Sequence, residues 1–473
     1  MTAVSTSSTP APSADPASPA FAGKLGNGLV RRWTTADDTE RLAELVGTVF
    51  RGDDDEVPNP RSMAEARAMM APGSPYMTPG DFAVVEDTAA PARPLVCCTC
   101  FWRMRWDYAG IPFAVTRPEM VGTHPDYRNR RLVGSLFEMI HARAAAEGHL
   151  VQGITGIPYY YRQFGYEYVL DLGGSRTTYL SLFSDEGDRP AAGALRLATT
   201  DDVPRIAALY AGRRGDSLIW HTPPEQLFRQ EVAAATAPGV TEEDAISGHL
   251  RGRYWMILDA DGAVCGYLWA SARRYGRTLN VDEVVLEPRP NMAELVSGLL
   301  RSLRDLADSC PGVRPDVPPC TEIRFEMGRS DPLYDLLGHE LAPAVEPPYA
   351  WYLRVPDIPA FLRLIAPELE RRLAGSKLAA HTGTLEVDLY TDGFQMRFED
   401  GRLAGVDPWR APIKDEPDSA LQCPALTFLQ LLMSYRSLAE LTEIFPDVES
   451  RREHRLLIDT LFPKRQSLVE PMG

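Results

Sequence analysis

Residues 117–168 carry the pattern that most constrains how this chain folds. The predicted elements there are a strand at 120–123, a basic turn at 125–131, a helix at 132–147, a strand at 150–155 and then an aromatic segment. Apolar residues of the helix recur at spacings of three and four, which puts them on one face: Leu132, Val133, Leu136, Phe137 and Ile140. The pattern therefore predicts a β-α-β unit whose helix lies on a sheet.

The turn before this helix is rich in positive charge. Arg128, Arg130 and Arg131 surround Asn129 just before the helix begins. A helix N-terminus has free N–H groups and a positive dipole end, so it attracts anions such as a pyrophosphate. The alternative is a solvated basic turn that caps an ordinary β-α unit, and charge alone leaves both open.

Length and charge limit the classes of protein to consider. A chain of 473 residues is too long for one core and predicts about three domains. It contains no apolar run long enough to span a membrane. The net charge of −16 argues against nucleic acid or anionic membranes as partners and is compatible with an amine-bearing substrate.

The first 24 residues are small and rich in Pro and Ser, which predicts a disordered tail. They lack a charged segment followed by an apolar one, so they do not resemble a secretory signal. We therefore expect a cytoplasmic protein.

The seven cysteines are odd in number and irregularly spaced, which argues against a disulfide framework. Cys97, Cys98 and Cys100 lie close together, but no second CxxC or HxxxH pattern completes a set of four metal ligands. A half-buried strand with small thiols is the preferred interpretation, and no metal is expected.

One local pattern occurs twice, about 165 residues apart. A strand, two threonines, an acid pair and a helix follow each other from Val30 and again from Leu195. This repeat predicts a duplicated fold. In the second copy the turn at 286–291 has no arginine cluster, and Pro288 and Pro290 remove N–H donors. We therefore expect the second copy to be structural and to bind no cofactor.

Beyond Pro347 the pattern changes to that of a small α+β domain. Strands at 384–390 and 394–398 flank the Asp392-Gly393 turn and predict a β-hairpin. The predicted helices cover 358–374, 426–433 and 456–462.

The stretch from residue 117 to 168 resembles the acetyl-CoA-binding core of the GNAT superfamily of N-acetyltransferases. In that superfamily a strand is followed by a P-x-x-R-x-x-G-x-G/A turn, a helix, a strand and, in some branches, a Y-x-x-F-G-Y-like segment. Pro125, Arg128, the apolar helix and Tyr161–Tyr166 follow this order. Arg131 and Val133 occupy the two glycine positions, with Gly134 one residue late, and a Cβ makes close approach to a phosphate harder.

The whole arrangement past residue 28 resembles the enhanced intracellular survival (Eis-like) family of aminoglycoside acetyltransferases. The resemblance implies a mixed α+β and α/β fold with tandem GNAT copies, the first catalytic and the second degenerate, plus a sterol-carrier-protein-like domain. It also implies a homohexamer. The expected boundaries are 1–27 for the disordered tail, 28–190 for the first GNAT domain, 191–348 for the second and 349–473 for the sterol-carrier-like domain and C-terminal tail.

The resemblance also implies which residues contact acetyl-CoA. Three groups are expected to bind it: Val121, Gly122 and Thr123 along the strand; Arg128, Asn129, Arg130, Arg131, Leu132, Val133 and Gly134 around the pyrophosphate; and Gly156 and Ile157 beside the pantetheine arm. No metal takes part.

For catalysis, the resemblance implies Tyr161 as the general acid and the C-terminal carboxylate of Gly473 as the base. A phenol with a pKa near 10 can protonate a departing thiolate, and an α-carboxylate is ionised at neutral pH. The alternative for Tyr161 is a core aromatic, since it belongs to a run of three tyrosines. Family members typically end in an aromatic residue, whereas this chain ends in glycine.

Phe50, the acidic run that includes Asp53, and Glu470 are the expected neighbours of the acceptor. A solvated charge run is the alternative for Asp53. The sequence therefore predicts an N-acetyltransferase that uses acetyl-CoA to modify a primary amine of an aminoglycoside, a polyamine or a lysine. The competing hypothesis is an inactive sensor or scaffold that binds acyl-CoA or a lipid, for which Arg131 is the main argument.

Overall fold

The computed structural model describes residues 13–52, 56–183, 192–247, 250–411 and 419–469. The chain divides into two compact units. The first unit comprises the described residues up to Trp106, together with Ile111–Tyr168 and Tyr352–Pro463; the second comprises Asp107–Gly110, Val169–Trp351 and the residues from Lys464 onward. The domain boundaries expected from the sequence stay a prediction.

The helices and strands are numbered along the chain. Up to residue 183 they are β1 (Ala22–Gly26), β2 (Leu29–Trp33), α1 (Thr39–Val49), α2 (Pro60–Met70), β3 (Phe82–Asp87), β4 (Leu95–Cys100), β5 (Trp102–Tyr108), β6 (Ile111–Arg117), β7 (Gly122–Thr123), α3 (Leu132–Ala146), β8 (Val151–Ile154), β9 (Glu167–Leu172) and β10 (Ser175–Tyr179). From residue 192 they are β11 (Ala194–Leu197), α4 (Val203–Gly212), β12 (Ile219–His221), α5 (Glu225–Thr236), α6 (Glu242–Ser247), β13 (Gly252–Leu258), β14 (Val264–Ser271), β15 (Thr278–Leu286), α7 (Met292–Ser309), β16 (Glu322–Phe325), α8 (Pro332–Leu341) and β17 (Ala344–Glu346). The remaining elements are β18 (Tyr349–Arg354), α9 (Ile358–Leu364), α10 (Ala366–Ala374), β19 (Gly383–Asp388), β20 (Gly393–Glu399), β21 (Arg402–Pro408), β22 (Leu421–Gln422), α11 (Ala425–Leu432), α12 (Leu438–Ile444), β23 (Glu449–Ser450) and α13 (Arg455–Leu461).

In the first unit, a five-stranded sheet has the order β1-β2-β3-β4-β7, and every pairing is antiparallel. Side chains alternate along its central strands: Val85 and Cys97 pack towards α3, whereas Val84 and Cys98 pack towards α1 and α2. Helices therefore cover both faces, and β4 is buried along its whole length. The expectation of a half-buried strand at the cysteines was wrong for this reason.

The expected tail is ordered in its described part. Residues 1–12 lie outside the described residues, but β1 pairs with β2 and the Pro16 carbonyl accepts a hydrogen bond of 2.9 Å from Trp33 Nε1. Phe21, the one aromatic side chain of the segment, is 7% exposed and joins the core beneath α3. Burial of this ring and the β1–β2 ladder order residues 13–27 despite their composition.

The repeat seen in the sequence is present in the structure as a shared ion pair. Arg32 contacts Asp38 at 2.7 Å just before α1, and Arg196 contacts Asp202 at 2.7 Å just before α4. In both copies a threonine and the aspartate also form a capping box. Burial opposes ionisation of Asp38, yet hydrogen bonds from Arg32 and Thr35 hold its pKa at about 2. The same local chemistry therefore starts the first helix of each copy.

In the second unit, a seven-stranded sheet has the order β11-β13-β14-β15-β16-β10-β17. The β15–β16 pair is parallel and the other described pairings are antiparallel. Helix α7 buries Leu295, Leu299 and Leu303 on one face of this sheet, while α4 and α5 bury Ile206 and Phe228 on the other. This repeats the layering of the first sheet.

The C-terminal part of the first unit is built on a sheet of order β21-β20-β19-β22-β23. The predicted hairpin is confirmed by the antiparallel register Leu385↔Met396 between β19 and β20. The predicted single helix over 358–374 was wrong, because it breaks at Ile365 into α9 and α10, and Pro367 occupies the first turn of α10. No helix among the described residues is long and apolar enough to cross a membrane.

We expect Asp38→Asn to lower the free energy of unfolding at pH 7 by about 2 kcal/mol, measured by urea denaturation. The depressed pKa means that the ionised carboxylate stabilises the fold above its unfolded pKa of 3.8 and that this contribution is lost as the pH falls through about 2. The difference from wild type should therefore narrow between pH 5 and pH 2.

Asp37→Asn is the matched control, because Asp37 is exposed and adjacent. Equal losses in the two variants, or a difference that does not change with pH, would contradict this account of Asp38.

Candidate active site

The strands on either side of α3 belong to different sheets. Strand β7 pairs with β4, whereas β8 pairs in parallel with β6 through Val115↔Val151. Between β6 and β7 the chain turns away at Met120, which adopts a φ of +50°. The predicted strand at 120–123 is thus reduced to Gly122–Thr123. Helix α3 therefore connects two sheets, and this connection fixes where its N-terminus lies.

The basic turn is held in place by its own side chains. Tyr127 donates a hydrogen bond of 2.7 Å to Asp87, and the Arg130 guanidinium lies 4.8 Å above the Tyr127 ring. Arg130 also donates to the Asp126 carbonyl at 3.0 Å. The turn therefore presents a defined backbone to the helix that follows.

Arg131 caps α3 in the left-handed conformation, with φ +58° and ψ +25°. Asn129 also has a positive φ, of +61°. The backbone therefore takes the conformation that glycine would favour, although arginine occupies the position. The first N–H groups of the helix, from Leu132 to Gly134, have no acceptor within it.

A cleft of about 700 Å³ opens at this point. Among the predicted cofactor-binding residues, those that line it are Arg130, Arg131, Leu132 and Gly134. Ser135, Phe137, His141 and Phe164 also line it, and sequence reasoning did not assign them a role. Glu138 is present as well, but Arg31 pairs with it at 2.5 Å. The helix N-terminus and the positive charges of Arg130 and Arg131 therefore make the cleft suitable for an anion.

The remaining predicted cofactor residues fall around this cleft rather than in it. Arg128 and Asn129 are exposed in the turn, and Val121 and Val133 pack against the aromatic cluster behind α3. Thr123 Oγ1 lies 3.2 Å from Cys97 Sγ. The Cys97 thiol is buried, which raises its pKa to about 12, so it is protonated at neutral pH.

Two glycines of the prediction are required by the structure. A Cβ on Gly122 would lie 2.8 Å from Val49 at the end of α1. Gly156 follows β8 with φ +117°, a conformation that other residues rarely adopt. A side chain is therefore disfavoured at both Gly122 and Gly156.

Tyr161 is the one buried member of the three consecutive tyrosines. It is 3% exposed, whereas Tyr159 is 73% exposed. It stacks at 5.9 Å on Phe137 of α3 and meets Tyr352 of β18 edge-on at 5.5 Å. The Cβ position of Gly156 is 3.9 Å from the Tyr161 hydroxyl. A ligand that follows the backbone at Gly156 thus passes this phenol.

A second layer of polar aromatics supports Tyr161. Tyr168 stacks on Tyr352 at 3.9 Å, and their hydroxyls are hydrogen-bonded. His141 Nε2 lies 3.0 Å from the Tyr166 hydroxyl. Burial, with a contribution from Arg354, lowers the pKa of His141 to about 3, so the imidazole is neutral. Burial also raises the pKa of Tyr166.

Sequence reasoning missed Tyr352, because it lies almost two hundred residues from Tyr161 and only the antiparallel register Tyr352↔Ile154 brings it there. His141 carried a weak signal, since it lies one turn after Phe137 on the helix that was predicted.

The expected acceptor residues are only partly described. Asp53, Glu470 and Gly473 lie outside the described residues. Phe50 is 40% exposed at the end of α1, and its carbonyl accepts a hydrogen bond from Asn59 at 3.2 Å. It directly follows Val49, the residue that contacts Gly122. Phe50 is therefore near β7, the strand that precedes α3.

Comparisons with known proteins agree with this geometry. Residues 30–169 match the family model of the acetyltransferase (GNAT) domain. No curated protein matches the chain in sequence. Similar solved structures include a GCN5-related N-acetyltransferase from Kribbella flavida, with 16% identity and a TM-score of 0.61 over 93% of this chain and 99% of that chain.

Two further solved structures show the same likeness. A protein of Enterococcus faecalis V583, described as a probable N-acyltransferase, has 13% identity and a TM-score of 0.64 over 94% of this chain and 99% of that chain. Eis1 from Mycobacterium abscessus has 14% identity and a TM-score of 0.55 over 93% and 98%. At these identities the likeness shows the fold, and the predicted mixed α/β fold class is confirmed. Helix α3, which borders the cleft, lies within residues 30–169, the stretch that is similar to the acetyltransferase (GNAT) domain.

Proposed function

We propose that this protein is an acetyl-CoA-dependent N-acetyltransferase that modifies a primary amine of a polycationic acceptor: an aminoglycoside, a polyamine or a lysine. The observation that carries the proposal is the helix N-terminus with its cleft at α3, which is followed along the chain by Gly156 and the buried phenol of Tyr161. These features match the diphosphate, the pantetheine arm and the thioester of the cosubstrate.

Binding of the diphosphate is assigned to the start of α3. The N–H groups of Leu132, Val133 and Gly134 point out of the helix, and Arg130 and Arg131 add positive charge. Arg131 occupies a position where the GNAT turn has glycine, but its backbone adopts the left-handed conformation that glycine would adopt. The N–H groups at the start of α3 are therefore left accessible. Val121, Gly122 and Thr123 are assigned to one side of the thioester arm, and Gly156 and Ile157 to the other.

The reaction is a direct transfer. The neutral amine attacks the thioester carbonyl, the C–N bond forms as the C–S bond breaks, and the amine loses a proton. Tyr161 is assigned as the acid that protonates the departing thiolate of coenzyme A. The terminal carboxylate of Gly473 is assigned as the base on the strength of the family resemblance, with Glu470 close by.

A covalent acyl-enzyme step on a cysteine is disfavoured. Burial raises the pKa of Cys97 to about 12, and burial also raises those of Cys98 and Cys100. All three thiols are therefore protonated and inaccessible, which makes them poor nucleophiles.

We extend the proposal to an Eis-like enzyme whose C-terminal domain, on the sheet β19–β23, is sterol-carrier-like. The structural similarity to Eis1 of Mycobacterium abscessus over nearly the whole of both chains supports the assignment as an Eis-like enzyme. The acceptor is assigned to the space near Phe50 and Asp53, in keeping with the net charge of −16. The cytoplasmic location and the homohexamer stay predictions.

The proposed function is tested by incubating the protein with acetyl-CoA and a panel of aminoglycosides, polyamines and lysine peptides while free thiol is measured. We expect Tyr161→Phe to lower kcat by about 10²- to 10⁴-fold with an unchanged circular dichroism spectrum, because the acid is removed and the ring is kept.

Tyr159→Phe is the control, since this neighbouring phenol is exposed and should leave the rate unchanged. Coenzyme binding without thiol release from any amine would favour the sensor or scaffold instead. Equal rates in the two variants would refute the role of Tyr161.

The anion site is tested at Arg131 with two variants that remove the same charge. We expect Arg131→Ala and Arg131→Gly both to raise KM for acetyl-CoA about two- to five-fold, since an exposed charge at a helix N-terminus contributes about 0.3–1 kcal/mol. The glycine variant should be more stable than the alanine variant by about 1 kcal/mol, because only glycine adopts this left-handed conformation without strain. An unchanged KM in both variants would show that the diphosphate binds elsewhere.

A further inference from the structure

The second unit, which the sequence predicted to be purely structural, contains a cavity of about 220 Å³ that we call the acidic cavity. It lies on the α4–α5 side of the sheet, and the tail residue Leu468 forms part of its wall. Five carboxyl groups line it, on Glu231, Asp282, Glu283, Glu326 and Asp331. Two guanidinium groups, those of Arg213 and Arg251, also line it, which leaves an excess of three acidic groups.

An irregularity in β15 brings two adjacent carboxyl groups to the cavity. Trp269 of β14 pairs with Glu283, but the next residue, Ala270, pairs with Val281. Asp282 is therefore an extra residue in a β-bulge. In a regular strand, neighbouring side chains point to opposite faces, whereas here Asp282 and Glu283 both line the cavity. The bulge thus concentrates negative charge at one point.

Within the described part of the chain, one of the two carboxyl oxygens of Asp282 is left without a hydrogen bond. Its Oδ1 atom is buried and has no hydrogen-bond partner among the described residues. Burial and the nearby Glu326 raise the pKa of Asp282 to about 7, although Arg251 opposes the shift. A buried acceptor without a donor is destabilising, so a ligand that donates a hydrogen bond to it binds more tightly.

Glu283 and Glu231 are in similar surroundings. Burial raises the pKa of Glu283 to about 7, against the effect of Arg213. Burial also raises the pKa of Glu231, which is hydrogen-bonded to Tyr254. The cavity therefore holds several carboxyl groups that are partly protonated near neutral pH.

The arginines do not neutralise the cavity. Arg213 is committed to Asp331 at 2.6 Å and to Asp216 at 3.0 Å. Arg251 favours ionisation of both Asp282 and Glu231 without bringing the pKa of either to its usual value. The arginines therefore leave carboxyl groups that a cationic ligand can pair with and ionise.

The walls favour an organic cation over a metal ion. Tyr210, Trp220, Tyr254 and Trp269 contribute aromatic surface, which attracts ammonium and guanidinium groups. Within the described ranges, no group of three or more His, Cys, Asp or Glu side chains is arranged to hold a metal. The volume is below the range of about 300–1,000 Å³ that is usual for drug-sized ligands, so the ligand is compact.

From the bulge, the unpartnered Oδ1 atom of Asp282 and the aromatic walls, we propose that the acidic cavity binds a compact organic cation with an ammonium or guanidinium group. Among the residues that the structure describes, the cavity shares no lining residue with the cleft at α3, and the proposal does not rest on the proposed function. Three hydrogen bonds hold the tail beside it: Leu218 N to Gln466 O at 3.1 Å, Ile219 N to Ser467 Oγ at 3.2 Å and Leu468 N to Ser217 Oγ at 3.0 Å.

The test is isothermal titration of the full-length protein with agmatine and with putrescine at pH 6, 7 and 8. A bound cation favours the ionised carboxylates, so binding should release protons and strengthen as the pH rises. For each carboxyl group that titrates near 7, Kd should fall about tenfold between pH 6 and pH 8. Absence of binding at all three pH values overturns the proposal.

Asp282→Asn should weaken binding at pH 8 at least tenfold. Asp308→Asn is the control and should leave binding unchanged, because Asp308 is an exposed residue of α7. Tyr161→Phe should also bind normally, which separates this site from the first unit. Equal binding by the Asp282 and Asp308 variants places the probe elsewhere and overturns the proposal. Circular dichroism verifies the fold, and if Asp282→Asn does not fold, Glu283→Gln and the pH series on the native protein decide the outcome.

Discussion

The candidate active site depends on one constraint: the strand before α3 and the strand after it belong to different sheets. Because β7 pairs with β4 while β8 pairs with β6, no continuous ladder of described residues joins the strands on either side of α3. The helix begins with unpaired N–H groups beside a cleft, and Gly156 follows β8 with its Cβ position 3.9 Å from the Tyr161 hydroxyl. A charged cosubstrate can then satisfy donors that the fold itself leaves unmatched.

The two copies show how one backbone plan supports different chemistry. Asn291 caps α7 in the same left-handed conformation that Arg131 adopts before α3. In the second copy, however, Pro288 and Pro290 supply no N–H donors, and Arg289 is paired with Asp259 at 2.9 Å. The turn before α7 thus has fewer N–H donors and an arginine that is already paired, while an acidic cavity lies at the bulge in β15. The turns before α3 and α7 therefore share a backbone conformation but differ in the charges and N–H donors that they present.

Features governed by local patterns could be predicted from the sequence. The spacing of apolar residues located α3, and the Asp392-Gly393 turn located a hairpin. The pattern of threonines followed by an acid pair located both helix starts. Features that depend on distant partners could not be predicted. Tyr352 contacts Tyr161 only because of the register between β18 and β8. Burial of Phe21 orders a segment whose composition predicts disorder. The position of Asp282 depends on the bulge in β15. In each case a contact distant in sequence decides the outcome, and no local pattern encodes it.

The most direct measurement is a crystal structure of the protein with coenzyme A bound. The account predicts that the diphosphate lies on the N–H groups of Leu132 to Gly134 and that the sulfur lies beside the Tyr161 hydroxyl, past Gly156. A coenzyme bound away from the start of α3, or a sulfur out of reach of that hydroxyl, would contradict it.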